Sequence, residues 1–261
     1  YISMPQMTDD ELKTAVPMEA DKYMPYDIGE LYLDHQKLGV NAPEGQMRVL
    51  LVSSKKTLVQ DQLGILGQAG CHPSIVDVDS FALGNSWELA GSGEEIPVVA
   101  LVDVGATKTN INILKQGVSC FTREVYVGGR DFTEVIAKKL GLPPDEAEVL
   151  KRAPGERKQQ VQESVTQVCE DLANEIRLSF DYFESQFEEE VSQVRLSGGG
   201  ARLEGLQETF LGVFGKPTEI WNPLEKLEVA PELDAAKLRE NMMHFAVAVG
   251  LAARIRETQE A

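Results

Sequence analysis

Apolar residues recur along this chain with two different periods, and the change of period marks out the elements. Tyr1-Ile2-Ser3-Met4-Pro5 alternates and reads as the tail of a strand begun upstream. Leu31 and Leu33 alternate with polar neighbours, and Arg48-Val49-Leu50-Leu51-Val52 is a β-branched apolar run, so strands are predicted on both sides of the turn Asn41-Ala42-Pro43-Glu44-Gly45. Thr8-Asp9-Asp10-Glu11 has the form of a capping box and predicts a helix toward Lys22. Pro17 lacks an amide donor and crowds the preceding turn, so a kink or a restart is expected there. Leu58, Leu63, Ile65 and Leu66 predict a helix stopping at Gly70, and Ile75-Val76-Asp77-Val78 a further strand.

The acidic, glycine-containing stretch Ala90-Gly91-Ser92-Gly93-Glu94-Glu95 predicts an exposed loop at a module boundary. Beyond it the runs Val98 to Asp103, Asn110 to Leu114 and Cys120 to Val127 predict strands, with Lys115-Gln116-Gly117 turning between the last pair, as in an antiparallel meander. Helices are expected after Gly128-Gly129-Arg130-Asp131, over Asp145 to Lys151, and over a long segment from about Arg157. In the long segment Val161, Val165, Val168, Leu172, Ile176, Phe180, Phe183 and Phe187 step by four or three, one apolar stripe that core packing explains. Val194 to Ser197 predicts a strand running through Gly198-Gly199-Gly200 into another helix, and Met243 to Ile255, apolar most of the way around, a buried helix.

Composition narrows the functional classes. The 261 residues carry 42 acidic and 25 basic side chains, a formal charge of −17, which disfavours phosphate backbones and bare anionic membranes as partners. At 43% hydrophobic and 26% charged the chain is ordinary globular material, enough for one large or two modest domains. Cys71, Cys120 and Cys169 lie far apart, as do His35, His72 and His244, so free thiols in a reducing compartment are expected and a zinc site is not. No apolar run reaches the roughly 20 residues of a membrane span, and no signal peptide opens the chain, so it is expected to be cytosolic.

Three segments carry candidate chemistry. Asp103-Val104-Gly105-Ala106-Thr107-Lys108-Thr109 is a tight turn between strands whose amides and Thr107 and Thr109 hydroxyls suit phosphate oxygens, while Asp103 suits a hydrated Mg²⁺. A plain hairpin turn accounts for it equally. Ser197-Gly198-Gly199-Gly200-Ala201-Arg202-Leu203 lets a flat base or a phosphate approach the backbone, or serves as a linker. Glu148 and Lys151 share a helix face, suited to ribose hydroxyls or simply to an intrahelical ion pair.

The order of these motifs, with Gly128-Gly129 before a helix between the first and the third, resembles the second half of the actin, Hsp70 and sugar-kinase superfamily. Within it the chain is most similar to the PilM family, cytoplasmic actin-like proteins of type IV pilus assembly. The likeness is carried by Glu19-Ala20-Asp21-Lys22-Tyr23-Met24-Pro25-Tyr26, Asp77-Val78-Asp79-Ser80-Phe81-Ala82, Phe132-Thr133, Gly205-Leu206, Asn222-Pro223 and Ala246 through Arg254. It implies an α/β, actin-like (ribonuclease H-like) fold of two lobes with a small α/β subdomain inserted in the first. Residues 1–74 would be the insert, 75–96 a remnant of the first lobe with a connecting helix, and 97–261 the second lobe with a C-terminal helix returning to the first.

The resemblance further implies ATP or ADP with Mg²⁺ as cofactors. Asp103 would water-bridge to the metal and Asp79 would lie near it. Gly105, Ala106 and Thr107, with Lys108 and Thr109, would hold the β and γ phosphates, and Gly128 would back them. Glu148 and Lys151 would contact ribose, and Gly198, Gly199, Gly200 and Ala201 would face adenine and the α phosphate. The superfamily's other phosphate loop is expected upstream of Tyr1, making the first lobe N-terminally incomplete. Gly84 stands where actin has a water-orienting Gln, so little or no hydrolysis is expected and no catalytic residue is assigned. The implied partner is the cytoplasmic N-terminal segment of PilN, with Glu19, Tyr23 and Tyr26 on the receiving surface, alongside other inner-membrane and motor components of the pilus; self-association is left open. The location implied is peripheral, at the cytoplasmic face of the inner membrane, through protein partners and without insertion. An FtsA-like division adaptor and a small-molecule kinase of the same superfamily are the competing functions; Ala261 follows the last apolar helix too closely for the FtsA-type membrane helix.

Overall fold

The structure, a computed structural model, describes residues 1–39, 42, 44–91 and 96–257. Asn41 and Pro43 of the expected turn, Ser92 to Glu95 of the expected loop, and Ala261 lie outside the described residues. The chain forms two compact units, Tyr1–Val76 and Asp77–Ala261.

In the first unit β1 (Ile2–Pro5), β2 (Leu31–Leu38) and β3 (Gln46–Lys55) make an antiparallel sheet in the order β1-β3-β2. Helix α1 (Asp9–Ala20) lies on one face, where Leu12 and Val16 close a small core with Met4, Met47 and Val49. Its N-terminus is the predicted capping box: the Glu11 amide donates to the Thr8 hydroxyl at 3.4 Å and the Thr8 amide to the Glu11 carboxylate at 2.8 Å. Pro17 does not interrupt it. Proline deletes only its own bond to the Lys13 carbonyl, Lys13 and Pro17 are both solvent-exposed, and the buried face formed by Leu12, Val16 and Ala20 continues through. Helix α2 (Lys56–Gln68) follows, with no residue buried.

Across the boundary between the units the chain is irregular where a strand was expected. Ile75 to Val78 pair with no described strand, and Val76 is 61% exposed, because a β-branched run without a ladder partner gains nothing from extension. Helix α3 (Asp79–Ala90) comes next, then the predicted meander β4 (Val98–Val104), β5 (Thr109–Lys115) and β6 (Val118–Val125). Helices α4 (Gly129–Leu140), α5 (Pro144–Arg152) and α6 (Lys158–Phe187) lead to β7 (Gln193–Ser197), α7 (Leu206–Phe214), β8 (Thr218–Ile220), α8 (Ala235–Glu240) and α9 (Ala246–Glu257). The sheet order is β6-β5-β4-β7-β8, antiparallel in the meander and parallel from β4 to β8.

Every residue of β4 and β5 is buried, so helices cover both faces of the sheet. On one face Asn112 donates to the Ser80 carbonyl of α3, and Leu83, Leu101, Leu114, Trp221 and Ala246 form a core. On the other, Arg123 and Phe121 of β6 meet Glu175 and Tyr182 of α6. The α6 stripe is buried from Val161 to Phe183, with Val168 and Phe187 half-buried at its margins. At about 1.5–3 kcal/mol per buried large side chain, it is a main support of this unit. Helix α9 is buried on one face only: Ala246 and Val249 are covered while Leu251 is 44% exposed. It crosses α3 so closely that a Cβ on Gly250 would land on the Ala82 carbonyl, which is why that position is glycine.

Candidate functional site

Because β4 and β7 are parallel neighbours in register Asp103 to Ser197, both of their outgoing turns open at the same end of the sheet. The Ser197 hydroxyl donates to Asp103 Oδ1 at 2.7 Å. Asp103 is only 9% exposed, and burial pushes its carboxyl up, against the Ser197 hydrogen bond, which favours the anion. The β4–β5 turn is closed by the Gly105 amide donating to the Lys108 carbonyl at 2.9 Å. The start of α4 is fastened onto this turn. Gly129 and Arg130 amides donate to the Gly105 and Ala106 carbonyls at 2.9 and 2.7 Å, so two of the helix's unpaired N-terminal donors are satisfied by the hairpin. Gly128 is required there, since a Cβ would sit 2.7 Å from the Gly105 carbonyl oxygen.

The glycine run after β7 folds as a 3-10 turn over Gly199–Arg202, and the next α-helix waits until Leu206, so the run is not itself a helix N-terminus. Gly198 has φ +83° and a Cβ there would lie 2.4 Å from the Val104 carbonyl oxygen; a Cβ on Gly200 would meet Val104 Cγ1 at 2.5 Å, and one on Gly199 the His244 ring at 2.6 Å. The glycines thus let this turn lie against the end of β4 and the approach to α9.

Helices α4 and α5 supply the facing wall. Lys151 Nζ donates to the Gly129 carbonyl and the Thr133 hydroxyl, both at 2.7 Å, and pairs with Glu148 at 2.6 Å; Arg152 pairs with the other Glu148 oxygen at 2.7 Å. Partial burial acts to raise the Glu148 pKa, but hydrogen bonds from Lys151, Thr133 and Arg152 outweigh it and hold the carboxyl at about 2.

Between these turns and helices lies a cavity of about 950 Å³. Of the predicted residues it brings together Asp103, Gly105, Ala106, Glu148, Lys151, Gly198, Gly199 and Gly200. The others sit apart. Thr107 is exposed at the hairpin tip and Ala201 is buried. The Thr109 hydroxyl donates to the Val127 carbonyl at 2.8 Å instead of pointing outward, and the Gly128 amide donates to Asp131 Oδ2 at 2.8 Å. Lys108 turns away to Asp79 (3.1 Å) and Glu124 (2.6 Å). Among the described residues no group of three or more His, Cys, Asp or Glu is arranged to hold a metal.

The cavity also contains Arg130, Arg202, Thr133 and His244, which sequence reasoning passed over. Arg130 directly follows Gly128-Gly129 and Arg202 comes one residue after Gly198-Gly199-Gly200, a signal that was available; His244 comes from a distant turn and carried none. In the first unit, Tyr23 and Tyr26 are 56% and 46% exposed, with Lys55 Nζ 3.6 Å from the centre of the Tyr26 ring, while Glu19 pairs with Lys22 at 2.7 Å.

A family model described as type IV pilus assembly protein PilM matches residues 1–256. Among solved structures, the chain is similar to one titled "PilM-PilN type IV pilus biogenesis complex", with 32% identity and a TM-score of 0.85 over 97% of this chain and 74% of that one. It is also similar to the ethanolamine utilization protein EutJ from Carboxydothermus hydrogenoformans (20% identity, TM-score 0.54, 73% of this chain and 59% of that one). A third is MreB 5 of Spiroplasma citri bound to AMPPNP (14% identity, TM-score 0.59, 79% and 67%). The fold is therefore the actin-like α/β fold.

Proposed function

The chain belongs to the PilM family of type IV pilus assembly proteins, and from that premise we propose that it is an actin-like scaffold holding the cytoplasmic N-terminal segment of PilN and linking it to the pilus motor. The observation that carries this reading is the match to the PilM-PilN complex across 97% of the chain. No described helix is long and apolar enough to cross a membrane, so in this reading attachment at the cytoplasmic face of the inner membrane runs through partners.

The first unit has the chemistry for an extended, basic peptide. β1 and β2 are edge strands, and Tyr23 and Tyr26, which follow Glu19 closely in the chain, offer exposed rings. Rigid aromatic surface of this kind binds at low entropic cost. Titration of a peptide from the PilN N-terminus into the full chain tests the reading: saturable binding is expected, and none up to millimolar peptide overturns it.

The second unit is proposed to hold ATP or ADP. The fit rests on the glycine-lined cavity and on Arg130 and Arg202 in its lining, whose guanidiniums have no hydrogen-bonding or ionic partner among the described residues. A bound nucleotide would supply a polyanion joining the β4–β5 turn to the 3-10 turn. Arg130 and Arg202 would meet its charge, and the Lys151–Thr133–Glu148 network would keep the ribose wall rigid. The residues fit Mg²⁺ poorly: Asp79 is neutralised by Lys108, and Asp103 is buried and engaged by Ser197. In this reading the nucleotide serves as a structural ligand.

A further inference from the structure

Lys108 is the hairpin residue whose behaviour the phosphate-turn expectation does not explain. Its ammonium does not face the cavity but lies between Asp79, the first residue of α3, and Glu124 of β6. The Glu124 carboxylate also accepts the Tyr126 hydroxyl at 3.4 Å. Burial works against the charge of Lys108, but its hydrogen bonds to Glu124 and Asp79 more than offset this and raise its pKa, so the ammonium stays charged throughout the neutral range. The trio is close enough for both Asp79 and Lys108 to act on the Asp103 carboxyl on the cavity wall, the first raising its pKa and the second lowering it.

A divalent cation at this edge of the cavity needs a free carboxylate, and neither acid offers one. Asp79 is already paired, and a second positive centre beside Lys108 would meet Coulombic repulsion. Asp103 is buried, and one of its oxygens already accepts the Ser197 hydroxyl at 2.7 Å. The guanidiniums of Arg130 and Arg202, without partners among the described residues, meanwhile remain in the cavity lining for phosphate charge. From this juxtaposition, and resting on the nucleotide reading above, we infer that Lys108 is a built-in cation standing where a metal would otherwise be recruited, so that this chain holds its nucleotide without Mg²⁺. Lys108 is a positioning residue: it neutralises Asp79 and joins α3, the β4–β5 turn and β6 around the phosphate end of the cavity.

The test is titration calorimetry of ADP and ATP into the full chain, once with excess EDTA and once with millimolar Mg²⁺. For the natural sequence the two dissociation constants are expected to agree within about threefold. In Lys108→Ala the released Asp79 becomes available to metal, and binding is expected to tighten by about tenfold or more when Mg²⁺ is added; Lys108→Arg is expected to behave as the natural chain. Asp79→Asn, which keeps the lysine, is expected to leave the metal independence intact, and this arm holds even if Lys108→Ala folds poorly. A natural chain that binds about tenfold tighter with Mg²⁺ overturns the inference while leaving nucleotide binding standing. So does a folded Lys108→Ala that stays metal-independent. Absence of binding in both buffers overturns the nucleotide reading itself.

Discussion

The two units use similar side chains to opposite ends. In α6 the apolar residues Leu172, Ile176, Phe180 and Phe183 are wholly covered; in α2, Leu58, Leu63, Ile65 and Leu66 are 58, 37, 61 and 38% exposed. β4 and β5 are sealed on both faces, whereas two of the three strands of the first unit are edges and Tyr23, Tyr26 and Tyr32 of that unit are exposed. Covered strands with tight turns at one end make a rigid rim on which a small polar cavity can be built. Open edges and uncovered rings leave a surface that another chain can complete. Apolar content alone therefore does not say which region is core; what covers it does.

The largest expected effect lies in the sealed unit. Phe180→Ala removes a ring that is 2% exposed and packs 5.1 Å from Phe214, centroid to centroid. It is expected to cost about 3–5 kcal/mol in denaturant unfolding; a loss below about 1 kcal/mol would erase the contrast between the units. A smaller effect is expected from the open unit. Tyr23→Ala with Tyr26→Ala should weaken the PilN peptide by about 1–2 kcal/mol while changing stability by less than about 0.5 kcal/mol, so loss of stability without loss of affinity would mark these rings as packing residues.

The smallest concerns pH. Glu148 is lowered from its ordinary 4.5 to about 2, so its contribution is fully present above about pH 4.5 and is lost as pH falls toward about 2. Glu148→Gln should flatten that part of the acid limb in stability measured across the interval, and an unchanged limb would show that the α4–α5 wall gains nothing from the charge.

Much of this architecture is legible in residues that interact locally. The four-and-three stepping from Val161 to Phe187, the Thr8–Glu11 box and the Lys115-Gln116-Gly117 turn each depend on neighbours a few positions away, and the structure has all three. Pairing across distance is not legible in this way. Ile75 to Val78 has strand composition but pairs with no described strand; Thr109 has a phosphate-binding hydroxyl that Val127 takes; Lys108 belongs to acids 29 and 16 positions away, the second separation set by the meander register. His244 reaches the cavity only because the Met243 carbonyl accepts the Gly198 amide, a bond no local pattern announces.

The hydrogen bond from Ser197 to Asp103 spans 94 positions of sequence. Closing a loop of that length costs chain entropy that only completed long-range packing repays, so the rim of the cavity belongs to the fully packed unit. Whatever settles in that rim binds a product of folding that no partly folded chain contains. Its occupancy is thus a certificate of assembly, raising the melting temperature of the finished unit and leaving earlier species untouched.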